Sequence, residues 1–144
     1  MNLSKRRNYR TACAVLLLCI ATAIASPAQT FLTLVNFNGT DGALPLGPLI
    51  QAADGNLYGT TLSGGANGYG TVFKVTPRTG TLTTVYSFCS QPGCSDGAAP
   101  NPGLALATDG NFYGTTSSTV FEITPSGALT TLHTFVSPDA QHVF

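Results

Sequence analysis

Few side chains in this sequence could act on a substrate, and each is placed where a plainer role competes. Nucleophilic catalysis needs a base beside the nucleophile, and the histidines are just His133 and His142. His133 fills the slot that Val35 and Tyr86 fill in parallel stretches, which reads as a strand residue. Asp54 and Asp109 could form an acid–base pair, but each opens the same Asp-Gly-Asn text. An active site needs one distinct pair, whereas an Asp before Gly-Asn caps a turn in every copy. One Asp and one Asn per turn also give fewer oxygens than calcium takes.

Cys89 and Cys94 have four residues between them. That spacing is not Cys-x-x-Cys and has no second ligand pair, so a local disulfide is expected in place of zinc or redox chemistry. Gly64-Gly65-Ala66-Asn67-Gly68-Tyr69-Gly70 lacks the following Lys-Ser/Thr and helix of a phosphate loop, and reads as a flexible hairpin loop. Tyr58, Tyr69 and Tyr113 are candidate ligand-contact aromatics, able to present flat faces to a sugar. Tyr58 and Tyr113 occupy equivalent places, where a recurrent strand aromatic more often packs as core. No catalytic residue, cofactor or metal ligand is assigned.

The elements that position these groups are set by a repeat. Asp54-Gly55-Asn56-Leu57-Tyr58-Gly59-Thr60-Thr61 returns as Asp109-Gly110-Asn111-Phe112-Tyr113-Gly114-Thr115-Thr116, with one change, Leu57 to Phe112. Such self-similarity means one structural unit has been duplicated. Upstream of each octamer lie Asp41-Gly42-Ala43-Leu44-Pro45 and Asp96-Gly97-Ala98-Ala99-Pro100, then the apolar runs 49–53 and 104–108. Asp-Gly-Asn between such runs is hairpin chemistry. Downstream, Thr71-Val72-Phe73-Lys74-Val75-Thr76-Pro77 is answered by Thr119-Val120-Phe121-Glu122-Ile123-Thr124-Pro125, whose period-two alternation marks a half-buried strand. Lys74 and Glu122 share a position with opposite charge, so that position carries no common ligand role. A turn leads into a fourth run, 82–88 or 129–135, and each closes on a phenylalanine, Phe88 or Phe135, as Phe31 to Phe37 closes on Phe37.

Each repeat of roughly 50 residues therefore holds four short strands. The expected fold is all-β, of β-propeller-like repeats built from four-stranded antiparallel blades. Repeat one covers about 38–88, repeat two about 89–135, and a third starts over 136–144. Propellers close with roughly four to eight blades, so the expectation is an incomplete propeller: a fragment, or a chain that self-associates or needs further repeats to cover its open faces. The copies differ in the Gly64–Gly70 segment, absent from repeat two, and in the cysteine-bearing link after Phe88. Such insertions map to loops, where binding surfaces usually reside.

Residues 1–28 read as a signal peptide. Lys5, Arg6, Arg7 and Arg10 precede an apolar run from Ala12 to Ala25 that is shorter than the roughly 20 residues of a spanning helix, and cleavage sites follow at Ala25 or Ala28. The pair Arg6-Arg7 leaves the general and twin-arginine routes both open. Its removal leaves Lys74 and Arg78 against six acids, a formal charge of minus four, which excludes the basic footprint of a nucleic-acid binder. No membrane span is expected after cleavage, and the location is secreted or cell envelope.

With Asp-Gly-Asn-Leu-Tyr-Gly-Thr-Thr, Gly-Gly-Ala-Asn-Gly-Tyr-Gly-Thr-Val-Phe-Lys-Val-Thr-Pro and Leu-Thr-Thr-Val-Tyr-Ser-Phe, the chain resembles the GloVer tandem repeat family of exported bacterial proteins over about residues 31 to 140. The resemblance implies tandem repeats in an exported protein and brings no catalytic residues. A more distant likeness is to propellers of the streptogramin lyase type, through Asp54 to Tyr58 and Phe121 to Pro125. That type implies a histidine, an acid and magnesium. His133, His142 and Glu122 match no motif of it residue by residue, so no active site is carried over. The expected function is a noncatalytic module for extracellular or cell-surface binding or display, with carbohydrate or a surface protein as partner. A lyase-like enzyme fragment and a purely structural array are the alternatives.

Overall fold

The computed structural model describes residues 30–135. The chain divides into two units, Met1–Leu32 and Thr33–Phe144, and the fold below is that of the second. The expected signal peptide and the start of a third repeat lie outside the described residues.

Two four-stranded sheets follow each other along the chain. Sheet 1 has the order β1 (Ile50–Gln51), β2 (Leu57–Thr61), β3 (Thr71–Thr76), β4 (Thr81–Ser87), and sheet 2 the order β5 (Ala105–Leu106), β6 (Phe112–Thr115), β7 (Thr119–Ile123), β8 (Leu129–Thr134). Every neighbouring pair is antiparallel and consecutive in sequence. The fold is thus all-β, and each sheet has the up-and-down connectivity expected from the repeat.

The octamer sets both hairpins in the same way. Asn56 N donates to Asp54 Oδ1 at 3.0 Å and Asn111 N to Asp109 Oδ1 at 2.9 Å, closing the turn through the carboxylate. Gly55 and Gly110 sit between them at φ 79° and 85°, the left-handed region that glycine enters without strain. The second glycine of the octamer has a different cause. Gly59 pairs with Phe73 and Gly114 with Phe121, and each ring lies across its glycine. A Cβ there would come within 2.8 Å of Phe73 Cζ, or 2.5 Å of Phe121 Cζ. Both sheets also carry a bulge at the same place, between Val72 and Phe73 and between Val120 and Phe121, which bends the strand and re-aims the phenylalanine. The threonines that close the octamers are buried, and each pairs hydroxyl to hydroxyl with the first residue of the next strand, Thr61 with Thr71 and Thr116 with Thr119, both at 2.8 Å.

The main core cluster lies between the sheets, while Phe73 and Val75 of sheet 1 are buried outside it. Sheet 1 contributes Tyr58 and Val72, and sheet 2 contributes Phe112, Phe121 and Ile123. Phe88, just past β4, completes it. Tyr58 stacks on Phe112 with centroids 4.3 Å apart, and Phe88 meets Phe121 edge-on at 5.1 Å. The closing phenylalanine of repeat one therefore packs into the following sheet.

Phe31 to Phe37, which resembles the fourth run of each repeat and like it closes on a phenylalanine, holds no strand. A fourth strand pairs with a third, and among the described residues no third strand precedes it, so its ladder hydrogen bonds have no partner.

Candidate functional site

The repeated polar residues are held in structural contacts. Asp54 Oδ2 accepts from Asn56 Nδ2 and from the Tyr58 hydroxyl, both at 2.8 Å. Burial alone pushes the Asp54 carboxyl up, but these donors and the Asn56 backbone outweigh it and hold the group below its usual range. Burial, joined by the bond to Asp54, pushes the Tyr58 phenol up to about 12. The second copy repeats the arrangement, with Tyr113 donating to Asp109 Oδ2 at 3.2 Å. The charge exchange between Lys74 and Glu122 rewires the asparagine beside it. Asn56 Oδ1 accepts from the Thr76 hydroxyl at 2.8 Å, whereas Asn111 Nδ2 donates to Glu122 Oε1 at 2.6 Å.

The segments that the copies do not share meet each other. The Gly64–Gly70 loop leans on the end of β4 and the start of the cysteine link. Ala66 N donates to Ser87 Oγ at 3.3 Å, Asn67 Nδ2 to the Phe88 carbonyl at 3.0 Å, and Ala99 N to the Tyr69 carbonyl at 2.9 Å. The link itself is closed by a disulfide between Cys89 and Cys94 around a single turn of 3-10 helix, Pro92–Cys94. Beneath it sits Asp96, 2% exposed. Its Oδ2 accepts from the Tyr86 hydroxyl at 2.7 Å, from Ser90 N at 2.9 Å and from Ser90 Oγ at 3.0 Å, and Oδ1 accepts from Gln91 N at 3.3 Å. Burial raises the Asp96 carboxyl, but the donors, Tyr86 and Ser90 foremost, outweigh it and leave the group below its usual range.

The disulfide encloses so few residues that its removal is expected to cost about 2 kcal/mol at most. Urea unfolding of the Cys89→Ser/Cys94→Ser variant against the oxidised protein checks this. A much larger loss would mean that the bond, and not Asp96, organises the loop.

The three candidate tyrosines are separated by this geometry. Tyr58 is 1% exposed, its ring against Phe112, so its face is occupied by core packing. Tyr113 is half-buried on sheet 2 with its hydroxyl on Asp109. Tyr69, 50% exposed, stands in the divergent loop beside the cysteine link. His133 lies on β8, the last strand of sheet 2, and its ring packs on Phe135 at 5.1 Å. Glu122 lies on β7 opposite Thr130 and is bonded to Asn111, while His142 is outside the described residues. Among the described residues no group of three or more His, Cys, Asp or Glu is placed to hold a metal. The sequence reading missed the Asp96 network. Its signal was present, since Asp41-Gly42 recurs as Asp96-Gly97 while only the second has a tyrosine, Tyr86, ten residues before it.

Sequential four-stranded sheets, tied by a shared aromatic core and distinguished by one pair of divergent loops, define an all-β tandem-repeat protein. The chain belongs to the Gloeobacter/Verrucomicrobia repeat family, whose model matches residues 21–143. No curated protein and no solved structure matches the chain. Among the described residues no helix is long and apolar enough to cross a membrane.

Proposed function

We propose that this is an exported, noncatalytic repeat module that binds carbohydrate at the cell surface or outside the cell. The observation that carries this reading is the meeting of the two divergent loops, with Tyr69 exposed beside them. The shared polar residues are engaged in turn closure, so ligand choice falls to what the copies do not share. An exposed tyrosine ring, with the exposed Gln91 side chain and the Asn67 amide oxygen in the same loops, offers a flat apolar face and amide partners, the combination that suits a sugar ring. Export is supported by the basic and apolar N-terminal text and by the disulfide, which persists in oxidising compartments.

A glycan array tests the proposal. The protein is expected to retain a restricted set of glycans, and Tyr69→Ala to weaken that binding by about tenfold or more, equivalent to about 1.4 kcal/mol. Retention of no glycan, or equal binding by the variant, would overturn it and leave the structural-array reading.

A further inference from the structure

The packing between the two sheets recurs at the start of sheet 1, where it is only partly covered. Within the chain, Phe88 is buried on Phe121, and the Val85 carbonyl lies against Gly127 in the β7–β8 turn. One repeat earlier, Phe37 meets Phe73 edge-on at 4.9 Å, and the Leu34 carbonyl lies against Gly80 in the β3–β4 turn. Leu34 to Phe37 thus stands where a preceding fourth strand would deliver its phenylalanine, although it makes no strand pairing. In sheet 2 the faces of Phe112, Phe121 and Ile123 are covered by Tyr58 and Val72. Their counterparts in sheet 1, Leu57, Phe73 and Val75, line an apolar pocket of about 250 Å³ with Leu34, Phe37 and Leu49. There the Leu34 to Phe37 segment stands in for a second sheet, leaving Phe73 and Val75 buried, Leu57 half-buried and Leu49 exposed.

The opposite end of the same unit carries the matching groups. Tyr113 and Val120, counterparts of Tyr58 and Val72, are only half-buried. Phe135, counterpart of the wholly buried Phe88, is 55% exposed, and Leu132 beside it is exposed as well. Tyr113 already has its hydroxyl on Asp109, so burying the ring orphans no polar group.

We propose that the sheet 2 face of one copy docks head to tail on the sheet 1 face of a second copy, reproducing the packing between the sheets of one chain. Phe135 of the incoming copy takes the seat on Phe73 that Phe37 holds in the single chain. The exchange runs in that direction because β8 is laddered to β7 from Thr134 to Leu129, whereas Leu34 to Phe37 has no ladder to lose. A contact between unlike faces propagates, closing into a ring if the rotation allows and otherwise extending.

Sedimentation equilibrium of the whole chain over a concentration series reads the association. The protein is expected to self-associate, and Phe135→Ala to weaken it by about 30-fold or more, the effect of truncating a central aromatic anchor. Because Phe135 is exposed in the single chain, its removal should leave the circular dichroism spectrum unchanged. Phe37→Ala is expected to strengthen association, since it removes the competing ring. When Tyr113→Cys chains are mixed with Leu57→Cys chains, a disulfide should form between the two copies at the counterpart of the Tyr58–Phe112 contact. A monomer at every concentration, or association that Phe135→Ala leaves unchanged, would overturn the proposal by showing that something other than a second copy covers these faces. Weakening by Phe37→Ala would overturn the exchange of rings.

Discussion

Phe121→Ala is expected to lower the unfolding free energy by about 3–5 kcal/mol, the usual range for truncating a buried phenylalanine. Phe121 is wholly buried and meets three kinds of neighbour at once: the Phe88 ring that arrives from repeat one, the backbone of Gly114 across the hairpin, and the sheet 1 residues of the core. Its loss opens a void where both sheets and the link between them converge, and interiors relax only partly around such a void. Domains are stable by about 5–15 kcal/mol, so a large share goes with one side chain. Urea unfolding provides the measurement, and Phe73→Ala provides the comparison. Phe73 holds the same place in sheet 1 and is buried too, but it packs under the unpaired Leu34 to Phe37 segment and borders a pocket instead of meeting a second sheet. Its surroundings can therefore relax more, and its truncation should cost less. Equal losses would contradict the assignment of the main core cluster to the space between the sheets.

The second large effect is at Asp96. Asp96→Asn keeps the shape of the side chain but replaces an acceptor-only carboxylate with a group that must donate from one end. Oδ2 takes three donors, from Tyr86, Ser90 N and Ser90 Oγ, while Oδ1 takes Gln91 N, so an amide NH2 in either orientation faces at least one backbone donor. A buried donor left unpaired costs about 1–3 kcal/mol, and more where the lost partner was charged, so a loss of about 3 kcal/mol at pH 7 is expected. The pH dependence gives the sign. Because the folded Asp96 carboxyl titrates below its ordinary value of 3.8, its contribution is fully present above that value. It is lost as the pH falls through the lower folded value. The gap between the protein and Asp96→Asn should therefore be wide at pH 7 and narrow in strong acid. A gap that stays constant with pH would mean that the asparagine acts through packing alone.

Much of the fold is legible in the text because the same words occur twice. Asp-Gly-Asn fixes a hairpin by local chemistry alone, and Thr71 to Thr76 alternates with the period of a strand, so β2, β3, β6 and β7 follow from the residues themselves. Phe31 to Phe37 resembles the fourth run of each repeat and holds no strand, because pairing depends on a neighbour that local text does not contain. The destination of each closing phenylalanine is hidden for the same reason. Phe88 is visible as the end of a repeat, but only three dimensions place it on Phe121. At the candidate site, burial separates Tyr58 from Tyr69. Both are tyrosines among glycines, and nothing local says that Phe112 will cover one and that the other will stand in a loop. The approach of the Gly64–Gly70 loop to the cysteine link is a contact between segments about 20 residues apart, which no window-based reading resolves.

The placement of Phe88 also bears on how such a chain can grow. By its text the phenylalanine is the last letter of repeat one, but by its contacts it belongs to the sheet built from repeat two. Duplication unit and folding unit are out of phase, so every copy of the gene segment carries a peg for its successor and a socket for its predecessor. A copy added in register would meet its neighbours through the same seat, a closing phenylalanine on the phenylalanine of the following sheet, as Phe88 meets Phe121 and Phe37 meets Phe73.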